Sequence, residues 1–213
     1  MSFRGGWQSS NSVEGVIMAR ARSGGLLALG LSLTLFPACD FATGVGDPAK
    51  SKQDKDLAGY WVEETSTNVH VLVATARKDG KTYEFEWVTC EGTLADPTKA
   101  SIGPLVGQLW LTEIGGARFA TARFESVPEN LAAHVKEKPY VIVKLQHSGD
   151  SVTLTKLNGK TDDFAQAKTA ADMEAAIKNH VDDAAAYDGT CTLKRSTAEA
   201  VKKVRELAGS KAK

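Results

Sequence analysis

From residue 57 to residue 195 the sequence alternates. Short stretches in which every second side chain is apolar are separated by turns built on glycine. Val69, Val71 and Val73 share one face of a stretch over 69–76, and Tyr83, Phe85 and Trp87 share one face of the next, 82–89. Between them Arg77-Lys78-Asp79-Gly80-Lys81 supplies a hairpin, because Asp-Gly tolerates the positive φ that such a turn requires. Residues 105–113 and 117–125 make a second hairpin about Gly115-Gly116. Residues 140–147 and 151–157 make a third about Ser148-Gly149-Asp150. Further strands are expected at 57–64, 91–95 and 190–195. A period of two repeated over so many short segments specifies antiparallel sheet. An open sheet would leave unpaired edges that invite aggregation, and closure removes them. The expected fold is mainly β with late helices (α+β): an antiparallel meander of about eight strands closing into a small barrel or a strongly curved sheet.

The helical signals come late. Thr161 stands before Asp162-Asp163 as an N-cap with negative charge behind it, and Thr169 with Asp172 marks a second start. Met173, Ile177, Val181 and Ala184 follow at helical spacing. Ser196 and Glu199 form a capping box for a C-terminal helix over 197–207, with Ala200, Val204 and Leu207 on one stripe and Gly209 as its stop. Residues 209–213 are expected as a mobile tail.

Lys and Arg number 26 and Asp and Glu number 26, so the chain lacks the basic excess of a nucleic-acid binder, and no nucleic-acid partner is expected. The long apolar run is 26–38, preceded by Arg20 and Arg22. As a helix it would span about 20 Å, too short for a ~30 Å hydrocarbon core. A basic segment before a short apolar one is the layout of a secretory signal peptide. Residues 1–38 are therefore assigned to a signal peptide, with Met18 an alternative start. Residues 39–56, rich in Gly, Asp and Lys, are assigned to a flexible linker, and 57–208 to a single globular domain.

The run ends at Leu35-Phe36-Pro37-Ala38-Cys39, which resembles the lipobox of bacterial lipoproteins. The resemblance implies cleavage before Cys39, a diacylglyceryl thioether on its sulfur, and further acylation, for instance by palmitate. Phe36 and Pro37 depart from the usual residues at their positions. Ordinary cleavage near Ala38 or Ala42 is the rival outcome. An acylated Cys39 implies a membrane-anchored protein of the cell envelope facing the periplasm, at either the inner or the outer membrane. Cys90 and Cys191 then remain, and an oxidising periplasm favours their pairing as a disulfide across a loop of about 100 residues. The parity of the strand argues the other way. Cys90 falls opposite Tyr83, Phe85 and Trp87, so two independent buried thiols are the alternative.

Gly59-Tyr60-Trp61 at the first strand resembles the Gly-x-Trp signature of lipocalins. In that family the tryptophan plugs one end of the barrel under an arginine from the last strand. Trp61 and Arg195 are the matching barrel-floor pair. The whole layout also resembles a broad group of uncharacterised bacterial lipoproteins. Leu57, Gly59 and Trp61 match the start of their domain, and Leu193, Ser196, Thr197 and Glu199 match its end. These resemblances imply a lipocalin-like barrel and no established activity.

Candidate chemistry is sparse. His70, His134, His147 and His180 show no helical i, i+4 pair, and His180 with Asp182 and Asp183 reads as a solvated helix end. Glu84 and Glu86 read as the solvated face opposite the aromatic one. No nucleophile elbow or dinucleotide fingerprint is present. No catalytic residue, metal or cofactor is assigned, and no enzymatic activity is expected. Phe85, Trp87, Trp110 and Phe119 either line a cavity for a small apolar ligand or fill a dry core. The leading expectation is binding of a small apolar ligand in the barrel. The alternative is a solid-cored interaction or assembly accessory for another envelope protein.

Overall fold

The computed structural model describes residues 40–209. The expected signal peptide over 1–38, the expected lipid site Cys39 and tail residues 210–213 lie outside them. The eight strands run β1 Gly59–Glu64, β2 Asn68–Ala76, β3 Tyr83–Gly92, β4 Pro97–Ile114, β5 Ala117–Ser126, β6 Tyr140–Ser148, β7 Ser151–Leu157 and β8 Tyr187–Ser196. Each pairs antiparallel with the next, and β8 returns to β1, closing an up-and-down barrel. The closing seam is short: Tyr60, Trp61 and Val62 face Ser196, Arg195 and Lys194. Beyond it the free N–H of Thr192 on β8 donates to the Glu63 carboxylate at 3.0 Å.

The hairpins at Gly80, Gly115-Gly116 and Gly149 gather at one end of the barrel, the floor end. The opposite, helix end carries α1 (Glu129–Glu137) between β5 and β6. It also carries the connection from β7 to β8, which includes α2 (Asp162–Gln166) and α3 (Ala170–His180). At the floor end, Asp79 closes the first hairpin by accepting the N–H groups of Lys81 and Thr82 at 2.8 and 3.0 Å. Its other oxygen takes the Thr82 hydroxyl at 2.6 Å. These bonds favour the ionised carboxylate, with the Thr82 hydroxyl foremost, and hold its pKa at about 2.

Alternation decides what lies inside. Trp61, Leu72, Phe85, Trp87, Leu105, Leu109, Ala122, Val143, Leu145, Leu154 and Leu193 point into the barrel and form its core. The outer wall is covered at two places. The C-terminal helix α4 (Ala198–Leu207) lays Val201 and Val204 against Val62, Val69, Val71 and Val88 of β1–β3. Helices α2 and α3 lay Phe164, Met173 and Ile177 against Ile114, Phe119 and Ile142 of β4–β6.

Four local readings need revision. Residues 91–95 are the end of β3 and a turn rather than a separate strand, and β4 starts early, at Pro97. The cap of α4 is Thr197, whose hydroxyl accepts the Ala200 N–H at 3.2 Å, one residue later than the Ser196–Glu199 box implied. Thr161 stands at the N-cap of α2 without accepting a side-chain cap bond, whereas Thr169 and Asp172 form a complete capping box on α3. Helix α1 lies between the second and third expected hairpins, where no element was expected.

The largest revision concerns 39–56. From Asp40 onward this stretch is no free linker but a strap packed along the outside of the barrel. Phe41 and Val45 are 2 % and 0 % exposed. The Val45 carbonyl accepts the Trp110 indole N–H at 2.6 Å and the Thr121 hydroxyl at 3.2 Å. The Ser51 hydroxyl accepts the Leu111 N–H at 3.0 Å. Gly46 has φ 70° at a point where an added Cβ would lie 1.9 Å from Thr112 Oγ1, so only glycine lets the strap pass.

Candidate functional site

The strap ends by turning across the floor. Leu57 drops into the barrel, and its carbonyl accepts the Trp61 indole N–H at 2.8 Å. The Trp61 ring is fully buried, with the Arg195 guanidinium 4.3 Å from its centre and His147 packed edge-on at 5.8 Å. Arg195 also donates to the Ala58 carbonyl at 3.2 Å and to the Asp56 carbonyl, and its own N–H donates to the Asp150 carbonyl at 2.8 Å. The structure thus brings Trp61 and Arg195 together on register-paired positions. His147, near the end of β6, turns inward. Its Nε2 is buried without a hydrogen-bond partner. Tyr83 completes the floor: its hydroxyl donates to the Asp54 carbonyl at 2.6 Å, and burial pushes its phenol up to about 12.

Phe85 and Trp87 lie inside the barrel, but Trp110 and Phe119 do not share that space. They sit on the opposite parity of β4 and β5, under the strap and under α3. The four cannot line one cavity. The interior is filled by side chains: the void among Leu57, Leu72, Phe85, Leu109, Leu145 and their neighbours is about 10 Å³, room for one water at most. Small-molecule pockets are roughly 300–1,000 Å³.

Among the described residues, Cys90 and Cys191 are two free thiols, which corrects the disulfide expected between them. Cys90 points outward beneath α4, where its thiol donates to the Val204 carbonyl at 3.7 Å. Cys191 points into the barrel beside Glu63. The barrel wall separates the two sulfurs, so a bond between them would require a strand to turn over. Burial raises both thiol pKa values, and hydrogen bonding to Glu63 raises that of Cys191 further. Neither is an activated nucleophile.

Near the helix end of the interior, His70 stacks on Trp87 with ring centres 5.8 Å apart, and its Nδ1 lies 3.0 Å from Thr89 Oγ1. Trp87 Nε1 donates to the same hydroxyl at 3.1 Å. Burial lowers the His70 pKa, with Glu63 opposing the shift. This is a buried, hydrogen-bonded polar cluster. On the surface, His180 bridges α2 and α3: its Nε2 lies 2.8 Å from Asp163 and its Nδ1 3.4 Å from Asp183. Among the described residues no group of three or more His, Cys, Asp or Glu side chains is placed to hold a metal ion, and no helix is long and apolar enough to cross a membrane.

Glu86, expected on a solvated face, is indeed on the outer face but is covered. Arg205 of α4 clamps it with two bonds of 2.9 and 2.8 Å. An open groove of about 1110 Å³ lies between the strap and the β4–β5 hairpin, lined by charged and polar side chains including Lys52, Lys55, Glu113, Arg118 and Glu174. Sequence reasoning missed it because its rim belongs to the supposed linker. The one available signal was the isolated Phe41 and Val45 in an otherwise polar stretch.

The geometry defines a class, the closed up-and-down eight-stranded antiparallel barrel with a capped C-terminal helix. Comparison with family models, with curated proteins and with solved structures finds no match to this chain.

Proposed function

We propose that this protein is a lipid-anchored module of the cell envelope, a lipocalin-like barrel with a solid core that works through its outer surface as an interaction accessory for another envelope protein. The observation that carries this reading is the interior void of about 10 Å³. A barrel stabilised by its own filled interior presents a rigid outer wall, and the open groove beside the strap is the concave part of that wall. The anchor at Cys39 would keep this surface at the membrane, where envelope partners are concentrated. Lipid attachment at Cys39 is supported by the lipobox resemblance.

Titration with an apolar fluorescent probe such as 1-aminoanthracene tests the filled interior. No saturable one-to-one binding is expected, and such binding would overturn the reading. Photo-crosslinking residues placed at Lys52, Lys55 and Glu113 in the native cell test the surface. Discrete adducts are expected there and not at Lys202 on α4, and identical patterns at all four sites would count against the groove.

The second reading is binding of a small apolar ligand after the barrel opens. It is favoured by α1, which lies over the helix end, has no fully buried residue and lacks a side-chain N-cap bond. Probe binding that saturates slowly in the native protein would favour it.

A further inference from the structure

The strap is clamped at its first described residue. Asp40 pairs with Lys156 at 2.7 Å, the two side chains being 20 % and 7 % exposed. Asp40 also packs on Gly159 so closely that an added Cβ there would come within 2.5 Å of its own. Phe41 then exchanges both backbone hydrogen bonds with Tyr140, at 3.3 and 3.2 Å, and its ring meets Phe164 edge-on. Lys156 and Gly159 stand at the end of β7 and Tyr140 at the start of β6, so all these contacts lie at the helix end. A free linker over 40–56 would give a reach on the order of 20 Å and every orientation. The chain has no such slack: the Cα of residue 39 can be only ~3.8 Å from that of Asp40.

We propose that the barrel stands end-on upon the lipid bilayer, with its helix end against the headgroups and its hairpin floor pointing away. The inference rests on the reading of Cys39 as the lipid-bearing residue. An acyl anchor one residue from a fixed point on the fold keeps the helix end at the headgroups, because that end cannot be drawn away from the bilayer without breaking the Asp40–Lys156 pair and withdrawing Phe41. The end that meets the membrane suits a headgroup surface. Helix α1 lies there, with Leu131 and Val135 turned to the barrel and only partly covered. Its exposed Glu129, Lys136, Glu137 and Lys138 carry both signs of charge, which suits zwitterionic lipid better than a strongly anionic one.

The test uses the mature lipidated protein from its native membrane, reconstituted into phosphatidylcholine vesicles. Nitroxide labels are placed through Ala133→Cys on α1 and through Lys78→Cys at the floor, both exposed positions. Collision with a water-soluble nickel chelate is compared between vesicle-bound protein and protein released by cutting off the anchor. Several-fold protection of the Ala133 label on vesicles is expected, with no change at Lys78. Equal accessibility of the two labels on vesicles would overturn the end-on attitude. Inserting ten Gly/Ser residues between Cys39 and Asp40 is expected to abolish the protection while leaving the protein on the vesicles. Protection that survives the insertion would overturn the short tether as its cause. The mass of the N-terminal peptide separates the two levels. A peptide without diacylglycerol on Cys39 removes the anchoring reading and this inference together, whereas a lipidated peptide with two equally accessible labels removes this inference alone.

Discussion

Cys90 and Cys191 lie on opposite faces of the barrel wall: one faces α4 and the other faces the barrel interior. Raised thiol pKa values and burial make both slow to react. The native mature protein is therefore expected to give no rapid reaction with an aromatic disulfide reagent. After unfolding it should release two thiols if Cys39 carries lipid or has been cut away near Ala42, and three if Cys39 is retained without lipid. One thiol reacting at once in the native state would contradict the burial of that side chain. His180 offers a pH handle of the opposite character. Hydrogen bonding to Asp163, aided by Asp183, raises its pKa above the ordinary imidazole value. The folded state then holds its proton more tightly than the unfolded chain does. The contribution of this bridge is fully present below pH 6.5 and is lost as pH rises through the raised value. An NMR titration should place His180 above 6.5, and Asp163→Asn should bring it down. His70 is shifted the other way by burial and should stay neutral at pH 7.

At the scale of elements, the helix caps separate what spacing alone can and cannot specify. Ser196, Thr197 and Glu199 all suit an N-terminus, and their order does not say which hydroxyl caps. The barrel decides it. Ser196 is still paired with Tyr60 in the seam, so the first residue free to cap is Thr197. Thr197→Ala is expected to cost about 1 kcal/mol in chemical denaturation, and Ser196→Ala a few tenths at most. Equal costs would mean that both hydroxyls serve the helix. The same logic explains which elements were legible. Strand β3 shows alternation because Glu84 and Glu86 oppose Tyr83, Phe85 and Trp87; β2 is apolar on both faces, with Val69 and Val71 beneath α4 and Leu72 and Ala74 inside, and the capping box of α3 is a local pattern. On β4 and β5 the outer face is apolar too, since Trp110 and Phe119 are covered by the strap and α3, and a strand buried on both faces loses its period. The strap has no period at all. Phe41, Val45 and Ser51 each fit a separate gap on the outer wall, and such contacts exist only after the wall has formed.

For the whole molecule the decisive quantity is the space inside. Closure of eight strands leaves an interior that side chains can either fill or line. Here Trp61 and Leu57 fill the floor end, Trp87 and Phe124 stand above them, and about 10 Å³ remains between. Phe85 borders that remnant and meets Phe124 edge-on with ring centres 5.4 Å apart. Phe85→Ala should therefore join the removed ring's volume to the existing void and leave a dry apolar cavity in the middle of the barrel. The expected cost is about 3–5 kcal/mol, the usual range for truncating a buried phenylalanine. A cavity of that kind binds benzene or xenon when its walls are apolar, and Leu72, Leu109, Leu145 and Leu154 supply such walls. Benzene should raise the midpoint of thermal unfolding of the variant and leave the parent protein unchanged. If the parent responds equally, its interior is already hollow in solution, and the apolar-ligand reading regains its place over the surface one.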